Sequence, residues 1–132
     1  MSLTIGTCGE YLTCFDLYNQ GYPSQIMMGQ LQYDVVMQNK SDLIKIQVKT
    51  SNFTESGSYR FVIKRHTQKK ILGIYEYVDM FAFAVPDLKK VAYMTFKEIT
   101  QEYKVTIPPD KFDHLSITRA LDVYYGTDNI QR

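Results

Sequence analysis

LIKIQVKT, residues 43–50, sets Ile44, Ile46 and Val48 in strict alternation with Lys45, Gln47 and Lys49. A period of two is that of a β-strand with one apolar face. The other face carries a neutral amide and two amines, in a chain whose net charge is only +1. Such a face is either a solvated edge or half of a site. Just upstream, QYDVVMQ (32–38) also reads as a strand, and NKSD between the two reads as a turn. If the loop has an even number of residues, Asp34 falls opposite Gln47, with Lys49 two positions further along the same face. Tyr33, Val35, Met37, Ile44, Ile46 and Val48 then form a core face. A loop of odd length would separate Asp34 from Gln47.

Outward from this hairpin, residues 3–20 are expected to form a helix. Ile5, Cys8, Leu12 and Phe15 follow its core spacing, and Gly21 is a stop. Residues 22–28 read as short and extended, and SYRFVIKRH (58–66) as a strand with a basic end. DMFAFAV and KVAYMTF form a hairpin around PDLK, and EYKVTIP is a last strand. A closing helix is expected over about 110–125, opened by PPD and ended by Gly126, although Phe112, Leu115, Leu121 and Tyr125 make only a loose stripe. Helix, strands, helix implies an α/β or α+β fold, with a sheet of five or more strands flanked by an N-terminal and a C-terminal helix.

The 132 residues suffice for a single domain with one core. The longest clear apolar run, MFAFAV (80–85), is far too short to span a bilayer, and no secretory signal opens the chain, so no membrane partner is expected. Cys8 and Cys14 lie on different faces of the first helix. They read as small reduced core residues, consistent with a cytoplasmic, reducing location. No Cys/His spacing suits zinc.

Charge is distributed unevenly. Residues 40–70 carry +6, and the remainder of the chain −5. Arg60, Lys64, Arg65, His66, Lys69 and Lys70 lie in this basic segment, just after the Asp34–Gln47–Lys49 trio, and are candidate contacts to a nucleic acid backbone. His66 and His114 have no partner at catalytic spacing. Tyr22, Tyr59 and Tyr75 are candidates for base stacking, and the closing helix for an oligomer contact.

A carboxylate, an amide oxygen and an ammonium together suit phosphoryl chemistry. Mg²⁺ takes oxygen ligands, usually one or two carboxylates with waters and substrate phosphate. Asp34 supplies a charged oxygen and Gln47 a neutral one, and Lys49 is placed to meet a phosphate or a water. Glu10 is the fourth candidate. It lies on the helix face opposite Ile5 and Phe15, among Gly6, Cys14 and Leu17, and Gly9 beside it permits close approach of another segment.

A helix bearing Gly9-Glu10, then Tyr33-Asp34, then Gln47-Val48-Lys49 resembles the PD-(D/E)XK nuclease core over roughly residues 5–65. The later hairpin is similar to the extra strands of small members, homing endonucleases and resolvase-like proteins among them. The resemblance implies a restriction-endonuclease-like core with a mixed sheet and divalent-metal hydrolysis of phosphodiesters. Asp34 would be the central metal ligand, Glu10 the helix-borne acid, Gln47 the residue at the (D/E) position and Lys49 the catalytic lysine. The Val48 carbonyl would complete the ligands of Mg²⁺, for which Mn²⁺ would substitute, with no small-molecule cofactor. Tyr33 stands where the family's proline is usual. Gln47 replaces an acid, leaving two formal negative charges where three are usual.

Pro86-Asp87 with Glu102-Tyr103-Lys104 matches the written motif more literally, but Pro86-Asp87 is expected at an exposed hairpin tip with no helix-borne acid before it. The expected activity is a DNA endonuclease of the homing kind, acting on double-stranded DNA as a homodimer or homotetramer. The alternatives are a Holliday-junction-resolvase-like or restriction-like nuclease, and a non-cleaving nucleic-acid-binding protein on a nuclease fold. A small ligand-binding or structural domain is the reading from outside that class.

Overall fold

Alternation in the sequence becomes register in the computed structural model, which describes residues 4–28, 33–63 and 78–126. Helix α1 spans Ile5–Asn19. The Thr4 hydroxyl caps it by accepting the Thr7 N–H (3.2 Å), and Gly21 leaves it at φ +94°. Strands β1 (Ser24–Ile26), β2 (Val35–Asn39) and β3 (Asp42–Thr50) follow. Next come β4 (Thr54–Glu55), β5 (Ser58–Val62), β6 (Met80–Val85), β7 (Lys90–Thr95) and β8 (Lys104–Ile107), then helix α2 (Ile117–Tyr125). Among the described residues the strands form a five-stranded sheet, β1-β2-β3-β6-β7, and a three-stranded sheet, β4-β5-β8. In the larger sheet β3 and β6 run parallel and the other pairs antiparallel, so the sheet is mixed as expected.

The β2–β3 hairpin has the even loop that the site requires. Asn39 pairs with Asp42 around Lys40 and Ser41, Val35 pairs with Ile46, and Lys40 takes the left-handed conformation at φ +58°. Val35, Met37, Ile44 and Ile46 are buried together, as the alternation predicts. β6, paired on both edges, is buried on both faces, which is why it reads as a continuous apolar run. Met80, Ala82 and Ala84 face a core shared with α1 and α2. Phe81, Phe83 and Val85 face a second core with Phe61 of β5 and Val105 and Ile107 of β8.

Two helical expectations are corrected. α1 does not bury Ile5, Cys8 and Phe15. Ile5 is 45% and Phe15 67% exposed, and Cys8 is exposed, not a core thiol. The inward face is Gly9, Thr13 and Leu17, with the Thr13 hydroxyl donating to the Gly9 carbonyl at 2.8 Å. Small residues let the helix sit close to the sheet, and close approach outweighs the larger apolar residues on the other side. Cys14 is the half-buried one and packs on the core.

The closing helix is also shorter than expected. A 3₁₀ turn covers Pro109–Lys111, and α2 begins only after Ser116, whose hydroxyl accepts the Arg119 N–H (3.1 Å). The Leu115 carbonyl is taken by the Tyr93 N–H at 2.8 Å, which breaks a continuous helix there. Phe112 belongs to the second core and Ile117, Ala120 and Leu121 to the first, so no single stripe links them. Gly126 ends α2 in the left-handed conformation, as its position predicts. No helix among the described residues is long and apolar enough to cross a membrane.

An ion pair ties α2 to the 3₁₀ turn Phe96–Glu98 that follows β7. Arg119 donates through Nη1 to Glu98 Oε2 (2.7 Å) and through Nη2 to Glu98 Oε1 (3.1 Å) and the Tyr93 carbonyl (3.0 Å). Glu98 is also held in a capping box with Thr95. Burial raises the Glu98 pKa, but the hydrogen bonds and charge of Arg119, with the Thr95 amide and hydroxyl, outweigh it and hold it below the usual value. That stabilisation is full above the unfolded carboxylate's pKa and is lost as pH falls through the lower folded one. The pair is part-exposed and screened by solvent, so Arg119→Met is expected to cost about 1 kcal/mol at neutral pH. In urea titrations the gap to the wild-type protein should narrow steadily as pH falls through the folded-state pKa of Glu98.

Candidate active site

Asp34 stands just before β2 and is fixed by main-chain bonds on both sides. Its N–H donates to the Ile46 carbonyl (2.9 Å), and its carbonyl accepts the Met27 N–H (2.8 Å). Its side-chain Oδ2 accepts the Val48 N–H at 2.8 Å. An oxygen bonded to a strand amide lies along the sheet and not out from one face. Alternation places Gln47 and Lys49 on the face of Phe81 and Phe83, whereas α1 packs toward Val48 and Thr50. The carboxylate of Asp34 lies between these two sides, where groups from both can reach it.

The charges record that convergence. Burial pushes the Asp34 carboxyl above its ordinary pKa, opposed by the Val48 amide and by the positive charge of Lys49. Glu10, part-buried on α1, is pushed up by burial and then by the negative charge of Asp34. Burial and the Glu10 charge also raise the Cys14 thiol, while the Ser24 hydroxyl lowers it, so Cys14 borders the site as a neutral thiol. Both carboxyls are thus pushed up by burial, and the Asp34 charge further disfavours ionisation of Glu10. On the same strand as Lys49, the Gln47 Oε1 atom is buried and has no hydrogen-bond partner among the described residues. An acceptor in that state costs free energy unless something electropositive meets it.

Gly9 brings α1 this close. A Cβ added there would lie 1.8 Å from Thr50 Oγ1 and 2.8 Å from both Thr50 Cβ and Cγ2. Thr50, whose hydroxyl is also buried without a partner, is the site neighbour that sequence reasoning missed. At the end of an alternating strand it carries no chemical signal of its own.

Asp34 is thus within electrostatic reach of Glu10 on α1 and of Lys49 on β3, with Val48 supplying its amide to Asp34, and Gln47 lies on β3 two residues before Lys49. No three His, Cys, Asp or Glu residues cluster among the described residues. The Glu10 and Asp34 carboxylates offer oxygen donors of the type that a hard dication such as Mg²⁺ takes.

Arg60, on β5, lies with its guanidinium 5.9 Å from the Phe53 ring centroid. Lys64, Arg65, His66, Lys69, Lys70 and Tyr75 lie outside the described residues. His114 is exposed. Tyr22 packs against the first core, and Tyr59 meets Phe112 edge-on at 6.0 Å, so both rings are engaged within the protein and are not free platforms for bases. Asp87 is exposed in the β6–β7 turn, as expected of the more literal motif. A cavity of about 870 Å³ between Asp79, Phe96 and Tyr124 includes none of Glu10, Asp34, Gln47 and Lys49.

The model of the PD-(D/E)XK endonuclease family matches residues 3–124. The structure of a bacterial homing endonuclease superposes with a TM-score of 0.73 at 17% identity, over 99% of this chain and 99% of that one. A Holliday junction resolvase from the archaeal hyperthermophile Archaeoglobus fulgidus superposes with a TM-score of 0.56 at 16% identity, over 88% of this chain and 94% of that one. Among curated proteins, no sequence match was found. At these identities the structural likeness is one of fold, and it is the restriction-endonuclease-like fold expected from the motifs. The match over nearly the whole length is what assigns the chain: it belongs to the PD-(D/E)XK endonuclease family.

Proposed function

We propose that this nuclease is a Mg²⁺-dependent DNA endonuclease of the homing kind that cuts double-stranded DNA. The observation that carries the proposal is the Asp34 carboxylate, anchored on the Val48 amide within electrostatic reach of both Glu10 and Lys49. Asp34, Glu10, Gln47 and the Val48 carbonyl hold the metal, and Mn²⁺ substitutes for it. A bound dication supplies polarisation of the phosphoryl oxygen and acidifies water in the site. Asp34 is kept in place by the Val48 amide, so its free oxygen keeps one direction. Lys49, whose charge Asp34 feels, meets the negative charge that grows on the phosphate as water adds to phosphorus and the bond to the leaving oxygen breaks. Cutting both strands takes two such sites, which a symmetric homo-oligomer supplies.

Lys49→Ala tests this. It is expected to lower kcat on the order of 10²- to 10³-fold with little change in DNA affinity, because the contact forms mainly in the transition state. Unchanged Mg²⁺-dependent nicking of supercoiled plasmid by this variant would remove Lys49 from the chemistry. The neutral Gln47 favours a second reading, a nuclease fold that binds without cutting. That reading gains support if DNA binds in EDTA and no cleavage follows with either Mg²⁺ or Mn²⁺.

A further inference from the structure

Phe53 combines two properties seldom found together: an exposed ring and a fixed backbone. The side chain is 58% exposed. Yet its N–H donates to the Ser51 hydroxyl at 2.9 Å, and its carbonyl accepts the Arg60 N–H at 3.0 Å. Ser51 itself is buried and donates its N–H to the Ala84 carbonyl (3.1 Å). Asn52 Oδ1 accepts the Asp87 N–H (2.9 Å), tying the segment to the β6–β7 turn. The ring therefore springs from a fixed stretch of main chain and presents much of its hydrophobic surface to solvent.

Its place in the chain is as telling. Phe53 follows Lys49 by four residues, a span of at most about 14 Å. At roughly 3.4 Å per step along one DNA strand, the ring stands within about four nucleotides of a phosphodiester held at Lys49. The Arg60 guanidinium lies 5.9 Å from the ring centroid, and its Nε is buried without a hydrogen-bond partner. The nearby acid, Glu55, is engaged by Lys104 at 2.8 Å, which offsets its charge beside Arg60. A fixed aromatic face backed by a cation is the equipment that stacks on a base whatever its identity.

Taking the nuclease proposal as its basis, we infer that Phe53 stacks on a nucleobase displaced from the substrate's own stack next to the cleaved phosphodiester, with Arg60 holding the ring from behind. The base comes either from a duplex kinked at the cut or from a branch point, and the chemistry of its π-face is the same in both.

The chain contains no tryptophan, so Phe53→Trp introduces a unique fluorophore at this position. The Phe53→Trp protein is titrated in EDTA with a linear duplex and, separately, with a four-way junction, while anisotropy of labelled DNA reports binding. Stacking quenches the indole emission on saturation. Quenching by the duplex assigns the base to a kinked duplex, and quenching by the junction alone assigns it to a branch point. Phe53→Ala, exposed and therefore expected to keep its melting temperature, should bind ten- to a hundredfold more weakly, with Phe53→Trp retaining affinity. Indole emission unchanged on DNA that anisotropy shows to be bound overturns this inference alone. A wild-type protein that binds neither DNA at low salt overturns the nuclease proposal as well.

Discussion

Asp34→Asn is expected to lower Mg²⁺-dependent cleavage by on the order of 10³-fold while raising the melting temperature of the metal-free protein. The loss follows from removal of the acid that is anchored on the Val48 amide and lies within electrostatic reach of Glu10 and Lys49. The gain in stability follows from its pKa. Burial holds the folded-state value above the unfolded one, so the group's contribution is full at pH below the unfolded pKa and is lost as pH rises through the folded pKa. At neutral pH the charge is therefore a cost to the fold, and a neutral amide that can still accept the Val48 N–H removes it. The sign is opposite to that at Glu98, where acidification destabilises. Two measurements suffice: cleavage rate on a duplex substrate, and thermal melting with EDTA or with Mg²⁺. Wild-type protein should gain stability from Mg²⁺, and the variant should not. Cleavage within tenfold of wild type would sink the role given to Asp34.

Gly9→Ala should inactivate the protein through geometry alone. In a helix interior the exchange ordinarily stabilises by about 1 kcal/mol. Here the new methyl would lie 1.8 Å from Thr50 Oγ1, and the neighbouring Thr50 atoms leave it no room. Overpacking of this kind costs about 1–3 kcal/mol, and it also moves α1 away from β3. Glu10 sits on the next residue of that helix, so its distance from Asp34 grows and metal affinity falls. Thr50→Gly removes every clashing atom. The double variant Gly9→Ala, Thr50→Gly should thus recover most of the activity lost by Gly9→Ala, despite the weaker strand that a glycine at 50 makes. Isothermal titration with Mg²⁺ and a cleavage assay read the two effects separately. A single variant as active as wild type, or a double variant no better than the single, would dismiss close packing as what positions Glu10.

How much of this is written in the chain differs from element to element. The β2–β3 hairpin is legible because a period of two admits only two registers, and apolar residues on both strands favour one. The parallel partner of β3 is not legible. β6 shows only that it is buried on both sides, and its neighbour is set by a connection that crosses the sheet. The apolar stripe Ile5, Cys8, Leu12, Phe15 misleads because hydrophobic spacing counts area and takes no account of reach. α1 turns its glycine and threonine inward, and its aromatic residues stay out. The closing helix misleads for a related reason: Phe112 and Leu121 belong to different cores, and a carbonyl committed to Tyr93 separates them.

At the site, local spacing in the sequence by itself determined that Asp34, Gln47 and Lys49 share one hairpin, and that Glu10 rides on a helix beside a glycine. Strand alternation and turn length are short-range properties, so they survive without knowledge of the rest of the chain. Tertiary structure alone decided that the Asp34 carboxylate turns along the sheet onto the Val48 amide, that α1 comes near enough for Glu10 to feel it, and that the Gln47 oxygen is left without a partner. Those are matters of burial and of distance between segments far apart in sequence, and they exist only once the chain has packed on both faces of β3.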